Sequence, residues 1–137
     1  MADFYKIGLL TFRGDRFLMC RKDHFTSKLI LPGGRVEPGE SELECLNREL
    51  REELGDVAVD EPAFIGRYAD IAHADDPLIV KTLELSLYAG NLRGEPLPLS
   101  EIVELVWFGP DSDVRELTPI FTNQILPDLK KRGLLPW

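Results

Sequence analysis

Apolar positions gather in short runs near both ends of the chain and fall into a three-to-four spacing in between. This distribution predicts strands around one well-defined helix. Phe4 to Phe12 reads as a strand, Arg13-Gly14-Asp15-Arg16 as a turn, and Phe17 to Arg21 as the returning strand of a hairpin. Lys22 to Lys28 is polar and irregular. The short apolar run Leu29 to Leu31 stops at Pro32-Gly33-Gly34, and Pro38-Gly39 marks a further turn, so composition predicts a loop over Gly33 to Gly39. From Glu40 to Leu54 there is neither Gly nor Pro and good helix formers dominate. Ser41 or Glu40 opens this helix, Gly55 stands where a C-terminal cap belongs, and Leu43, Leu46, Leu50 and Leu54 form its apolar stripe.

Two longer strands, Ala63 to His73 and Leu78 to Ala89, are expected around the turn Ala74-Asp75-Asp76-Pro77. A Gly- and Pro-rich loop over Asn91 to Ser100 follows, then a strand from Glu101 to Phe108 and a helical turn within Asp111 to Leu117. Pro119 to Lys131 predicts a second amphipathic helix on Ile120, Phe121, Ile125, Leu126 and Leu129, which Pro127 should kink or interrupt. With no repeat, linker or low-complexity tract, residues 1–137 are expected to form one α/β domain.

The length of 137 residues and a hydrophobic content of 44% suit one domain with a sizeable core. Sixteen basic against 24 acidic residues give a net charge of −8, so the chain is expected to be a poor general binder of DNA, RNA or anionic membrane. A phosphate-bearing substrate would then need divalent cations to neutralise it. Cys20 and Cys45 lack metal-type spacing and read as free thiols of a reducing compartment. No signal peptide or membrane-length apolar run is visible, which points to the cytoplasm.

The chemistry sits on the first helix. Around its wheel, Glu42, Glu49, Glu52 and Glu53 lie roughly 110° from the leucine stripe. Glu49, Glu52 and Glu53 are neighbours at i, i+3 and i+4, where like charges repel. Arg48 relieves part of this, and a hard divalent cation would relieve the rest. A Glu-rich helix alone is most often a solvated face. The loop in front shifts the balance, because Gly33-Gly34 can bring backbone carbonyls close, and Glu37 and Glu40 add acidic groups at the junction.

These residues spell a pattern that resembles the Nudix box. Gly34, Glu40, Arg48, Glu49, Leu50, Glu52, Glu53 and Gly55 fall in its register between residues 34 and 56, and Asp56 departs from the final aliphatic position. The preceding hairpin, the Leu-Pro-Gly-Gly approach and the strand ending in Trp107-Phe108 are also similar to MutT-like Nudix domains. Leu29 stands where a Trp is often found. The resemblance implies an α/β/α sandwich with a mixed sheet and a hydrolase cleaving a nucleoside diphosphate linked to another group. It implies Mg²⁺, or Mn²⁺, on Glu49, Glu52, Glu53 and the Gly33 carbonyl. Arg48 would orient the carboxylates. Gly34 and Glu40 would brace the loop, with Glu40 alternatively binding a second ion through water. Glu101 is the candidate base from outside the box, with Glu104 as second choice.

The substrate the resemblance favours is a nucleoside triphosphate, normal or oxidised, cleaved to the monophosphate and pyrophosphate. In MutT-type members an Asn placed like Asn123 reads the purine. Arg21, near the end of a strand leading toward the box, is the favoured phosphate contact among Arg13, Lys28, Arg67 and Lys81. An ADP-ribose or nucleotide-sugar hydrolase is the alternative, although Ile71 stands where some ADP-ribose hydrolases carry Pro. An RNA-5′-end hydrolase is expected to carry more basic surface. The rival of another class, a non-catalytic nucleotide-binding Nudix module, usually loses box carboxylates that this chain retains. His24 and His73 lack partner spacing and read as structural. The expected partner is a small nucleotide, with monomer or homodimer left open.

Overall fold

Alternation along the first strand sets up both faces of the molecule. In the computed structural model, which describes residues 2–22, 28–71 and 81–137, β1 (Phe4–Leu10) sends Ile7 and Leu9 to one face and Phe4 and Leu10 to the other. It pairs parallel with β6 (Thr82–Arg93) and antiparallel with β4 (Gly33–Arg35), and β6 pairs antiparallel with β5 (Ala58–Ile71). The result is a mixed four-stranded sheet in the order β4-β1-β6-β5. A second, antiparallel sheet runs β2-β3-β7, from Phe12–Arg13, Arg16–Arg21 and Glu104–Phe108. The strand expected over Phe4 to Phe12 is therefore divided: the chain leaves the first sheet at Thr11 and enters the second at Phe12.

Three further expectations are corrected. Gly33 to Arg35 is a strand, not the start of a loop, because the two glycines fit flat against Ile7 and Gly8 at the sheet edge. The third long strand begins at Ala58 and absorbs Pro62 through register shifts between Asp60 and Ala63 and between Phe64 and Gly66. The last strand begins at Glu104, leaving Glu101 in a turn before it. His24, His73, the turn Ala74 to Pro77 and the expected start of a strand at Leu78 lie outside the described residues.

α1 (Glu42–Leu54) covers one face of the sheets, packing on Ile7, Leu9, Leu18 and Cys20. Ser41 caps it: its hydroxyl accepts the Glu44 N–H while the Glu44 carboxylate accepts the Ser41 N–H, a reciprocal box. Gly55, at φ 90°, ends it. The buried arc holds Cys45, Leu46, Leu50, Glu53 and Leu54, whereas Leu43 is 40% exposed. The expected stripe is thus rotated toward the glutamates, because β4 lies over that side of the helix.

On the opposite face Leu10, Phe17, Met19 and Leu85 meet Phe121, Ile125 and Leu129. The second helix is not uniform. A turn of 3₁₀ helix spans Val114–Glu116. A wide π turn, Phe121–Ile125, then precedes α2 (Leu126–Lys131), with the Leu126 N–H reaching back to the Phe121 carbonyl. Pro127 falls in the first turn of α2, where a missing N–H costs little. Helix, sheets and helix thus form three layers, an α/β/α sandwich with a mixed sheet. Among the described residues no helix is long and apolar enough to cross a membrane.

Candidate active site

The last turns of α1 close on the first residues of β4 because those residues are glycines. A Cβ on Gly34 would fall within 2.6 Å of both carboxylate oxygens of Glu49, and one on Gly33, at φ 144°, would overlap the Ile7 carbonyl oxygen. The Gly33 N–H donates to Glu53 Oε1 at 2.9 Å, so a backbone amide holds the innermost carboxylate in place. Glu53 is 5% exposed. Burial pushes its carboxyl up to about 7, the Gly33 N–H and Lys22 oppose the rise, and Glu49 and Glu101 add to it. Burial also raises Glu49, against the pull of Arg48 and with the push of Glu52.

Arg48 gathers the rest. Its Nε donates to Glu40 Oε2 at 2.6 Å and its Nη2 to Glu40 Oε1 at 3.0 Å. Nη1 reaches Glu49 Oε1 at 3.0 Å and Glu52 Oε1 at 3.4 Å, and Nη2 also meets the Arg35 carbonyl at 3.2 Å. The planar fork suits this shared grip. Its hydrogen bonds hold the Glu40 carboxyl down to about 2, helped by the Glu37 N–H, which Glu40 Oε1 accepts at 3.0 Å. Glu40 thereby ties the loop to the helix. Glu42, which the wheel groups with these carboxylates, is drawn elsewhere: it accepts from the Tyr88 hydroxyl at 2.9 Å and from Arg67, pinning the start of α1 to β5 and β6.

Carboxylate oxygens beside backbone carbonyls are the donor set of a hard divalent cation. Nudix hydrolases generally use such ions. In this structure Arg48 stands between Glu49 and Glu52, and no three acidic side chains among the described residues close into a preformed cage. The fit rests instead on the Gly34 cradle, which reserves its space for the Glu49 carboxylate. It rests too on carboxylates on successive turns that share one guanidinium.

Glu53 gives a direct test of this electrostatic picture. A carboxyl raised in the folded state contributes stability that is complete below its unfolded value of about 4.5 and is lost as the pH rises through about 7. In chelator, Glu53→Gln should therefore gain melting temperature relative to wild type between pH 5 and pH 8. Equal differences at both pH values would contradict the assigned burial.

The remaining sequence candidates lie around this centre. Glu101 is exposed in the turn before β7, 3.8 Å from Lys22 Nζ, and its charge is felt by Glu53. Glu104 is engaged by Arg21, whose Nε donates to it at 2.8 Å while Nη2 donates to Glu116 at 3.2 Å. Arg21 is thus paired with two carboxylates. Asn123 lies within the π turn, not at a helix start, and its Nδ2 donates to Asp70 Oδ2 at 3.2 Å. It borders an open cleft of about 440 Å³ with Lys28, Arg115, Leu117, Pro119 and Thr122. Sequence periodicity carries no signal for this cleft, since bends and a π turn build it.

Known proteins share the family and the fold of this chain. The NUDIX domain family matches residues 5–129. Among curated relatives, the NAD-capped RNA hydrolase NudC of Stutzerimonas stutzeri is 34% identical over 107 residues, covering 76% of this chain and 36% of that protein. The chain thus spans about a third of the length of the curated relatives it matches. Among solved structures, a MutT protein from Methanosarcina mazei Go1 superposes with a TM-score of 0.74 at 20% identity, covering 95% of this chain and 94% of that one. A MutT Nudix hydrolase from Burkholderia pseudomallei gives 0.70 at 24% identity, over 85% and 90%.

Proposed function

The chain belongs to the NUDIX family of hydrolases, and from that premise we propose that it is a divalent-metal-dependent pyrophosphohydrolase of a nucleoside diphosphate derivative. The observation that carries the reading is the junction of β4 and α1, where Gly33 holds Glu53 and Gly34 makes room for Glu49. Glu49, Glu52, Glu53 and the Gly33 carbonyl would hold Mg²⁺ or Mn²⁺. Bound there, the ions would neutralise phosphoryl oxygens and render a water nucleophilic. The chain's own groups do the positioning. Arg48 keeps Glu49 and Glu52 aimed, and Glu40 anchors the loop through Arg48 and the Glu37 N–H. Glu101, exposed and with its charge felt by Glu53, would be the base that takes a proton from the attacking water. The P–O–P bond breaks, and for a triphosphate the products are the monophosphate and pyrophosphate.

A nucleoside triphosphate, normal or oxidised, is the leading substrate. The cleft beside Asn123 supports it, because Leu117 and Pro119 offer apolar contact for a base while Asn123 and Thr122 offer hydrogen bonds. A second reading, a dinucleotide pyrophosphate of the NAD or ADP-ribose type, is favoured by the 34% identity to a hydrolase named for NAD-capped RNA. Product analysis on normal and 8-oxo-nucleoside triphosphates, ADP-ribose, NADH and NAD-capped RNA separates them. Pyrophosphate release, fastest from a triphosphate, supports the first reading, and paired monophosphates from a dinucleotide support the second. Nucleotide binding without turnover of any of them would turn the protein into a binding module.

A further inference from the structure

Resting on the reading of Glu101 as the base, we propose that Ser100 is a positioning residue whose left-handed backbone turns Glu101 toward the carboxylate centre. The segment before it, residues 96–99, alternates Pro-Leu-Pro-Leu. Proline has no N–H to leave unsatisfied and fixes its own φ, so the segment favours an extended path with a donor at every second residue. Both donors meet the end of α1. The Leu97 N–H gives to the Leu54 carbonyl at 3.0 Å and the Leu99 N–H to the Glu53 carbonyl at 2.9 Å. These carbonyls belong to the last turn of the helix, where no partner within the helix exists. The Leu99 side chain lies over Gly55, where a Cβ would stand 3.2 Å from its Cδ1. The segment is thus a strap across the helix end, fixed to the backbone of the residue that carries the innermost carboxylate.

The chain turns immediately beyond the strap. The Ile102 N–H returns to the Leu99 carbonyl at 3.0 Å, closing a four-residue turn with Ser100 and Glu101 at its centre. Ile102 is buried in the core with Leu46, Leu50 and Leu54, and the Val103 N–H donates to the Arg21 carbonyl at the end of β3 at 2.9 Å. Between these anchors Ser100 takes φ 57°, a left-handed conformation that only one other non-glycine residue shares among those described. An ordinary residue pays for this conformation, and it persists where both flanks dictate it. The Ser100 side chain is exposed and has no hydrogen-bond partner among the described residues, so no contact of its own explains its place.

What the turn sets is the direction of the next residue. Glu101 is exposed and, among the described residues, its carboxylate meets only Lys22 Nζ at 3.8 Å, so its side chain supplies little of its own placement. Its charge nevertheless reaches Glu53. With both flanks pinned, a change of sign at the Ser100 φ would turn the following peptide unit over and swing the carboxylate away from Lys22 and Glu53. A base must stand within hydrogen-bond reach of the water it deprotonates, and the strap provides that placement from the backbone.

The test compares Ser100→Gly, Ser100→Asn, Ser100→Thr and Ser100→Val in Mg²⁺-dependent turnover of GTP and of NADH, one for each substrate reading. Turns with positive φ at this position are dominated by Gly and Asn, so those two variants should keep kcat within about threefold of wild type. Branching at Cβ makes the conformation an outlier, so Ser100→Val should lower kcat about tenfold to a hundredfold. KM and the affinity for Mn²⁺ should stay within about twofold, which a general loss of structure would not allow. Ser100→Thr keeps the hydroxyl and should nonetheless follow Ser100→Val. With Glu101→Gln already in place, adding Ser100→Val should cost no more than about twofold. A wild-type kcat in Ser100→Val, an equal loss in Ser100→Gly, or additive losses with Glu101→Gln would overturn the positioning role and leave the hydrolase reading intact. A wild-type kcat in Glu101→Gln would remove Glu101 as the base and Ser100 with it. A wild type that cleaves no nucleotide would remove the hydrolase reading itself.

Discussion

Gly34→Ala should abolish most of the activity without unfolding the protein. The new methyl group would land within 2.6 Å of both Glu49 carboxylate oxygens, and something must move. β4 is held against β1 by the sheet, whereas Glu49 is a side chain, so Glu49 yields. It then loses its 3.0 Å bond from Arg48 and its place in the proposed ligand set. A displacement of about 1 Å in such a site costs about 10²-fold in rate, and that is the expected loss in kcat/KM. The diagnostic is non-additivity. With Glu49 already truncated to Ala the clash partner is gone, so adding Gly34→Ala should cost little further. Additive losses would mean that the glycine acts through backbone conformation instead of through Glu49.

The second large effect is expected at Arg48. Arg48→Lys keeps the charge but cannot reproduce a fork that contacts Glu40 twice while also reaching Glu49, Glu52 and the Arg35 carbonyl. The loop and the carboxylates would lose their common anchor. Groups that orient ligands from behind typically account for about 10–100-fold in metal affinity or activity, and a loss in that range is expected for Arg48→Lys. Raising the Mg²⁺ concentration should recover part of it, because the defect lies in holding the carboxylates ready. A loss indifferent to metal concentration would assign Arg48 to substrate contact.

Much of this centre is legible in the amino-acid sequence, and the reason is local. The helix from Glu42 carries its own start and stop signals in Ser41, Glu44 and Gly55, and its glutamates are neighbours by helical spacing alone. The paired glycines signal a close approach. That Gly33 and Gly34 reach this approach as an edge strand is not legible, because a Pro-Gly-Gly run carries the composition of a turn and only pairing with β1 makes it extended. Leu43 fits the apolar period, yet the covering strand sits on the glutamate side and leaves it out. The cleft near Asn123 depends on a π turn, which no residue pattern announces.

The proposed chemistry requires that the α1 carboxylates bind the ion that activates the reaction. Mn²⁺ binding followed by electron paramagnetic resonance, beside Mg²⁺-dependent nucleotide hydrolysis, measures this for wild type and Glu52→Gln. Glu52 is more than half exposed and, among the described residues, held only by the long 3.4 Å bond from Arg48, so the change should leave the fold intact. Wild type should bind Mn²⁺ in competition with Mg²⁺ and be inactive in chelator, and Glu52→Gln should lose both tight binding and turnover. Hydrolysis that persists in chelator, or in Glu52→Gln at the wild-type rate, would contradict a metal-carboxylate mechanism.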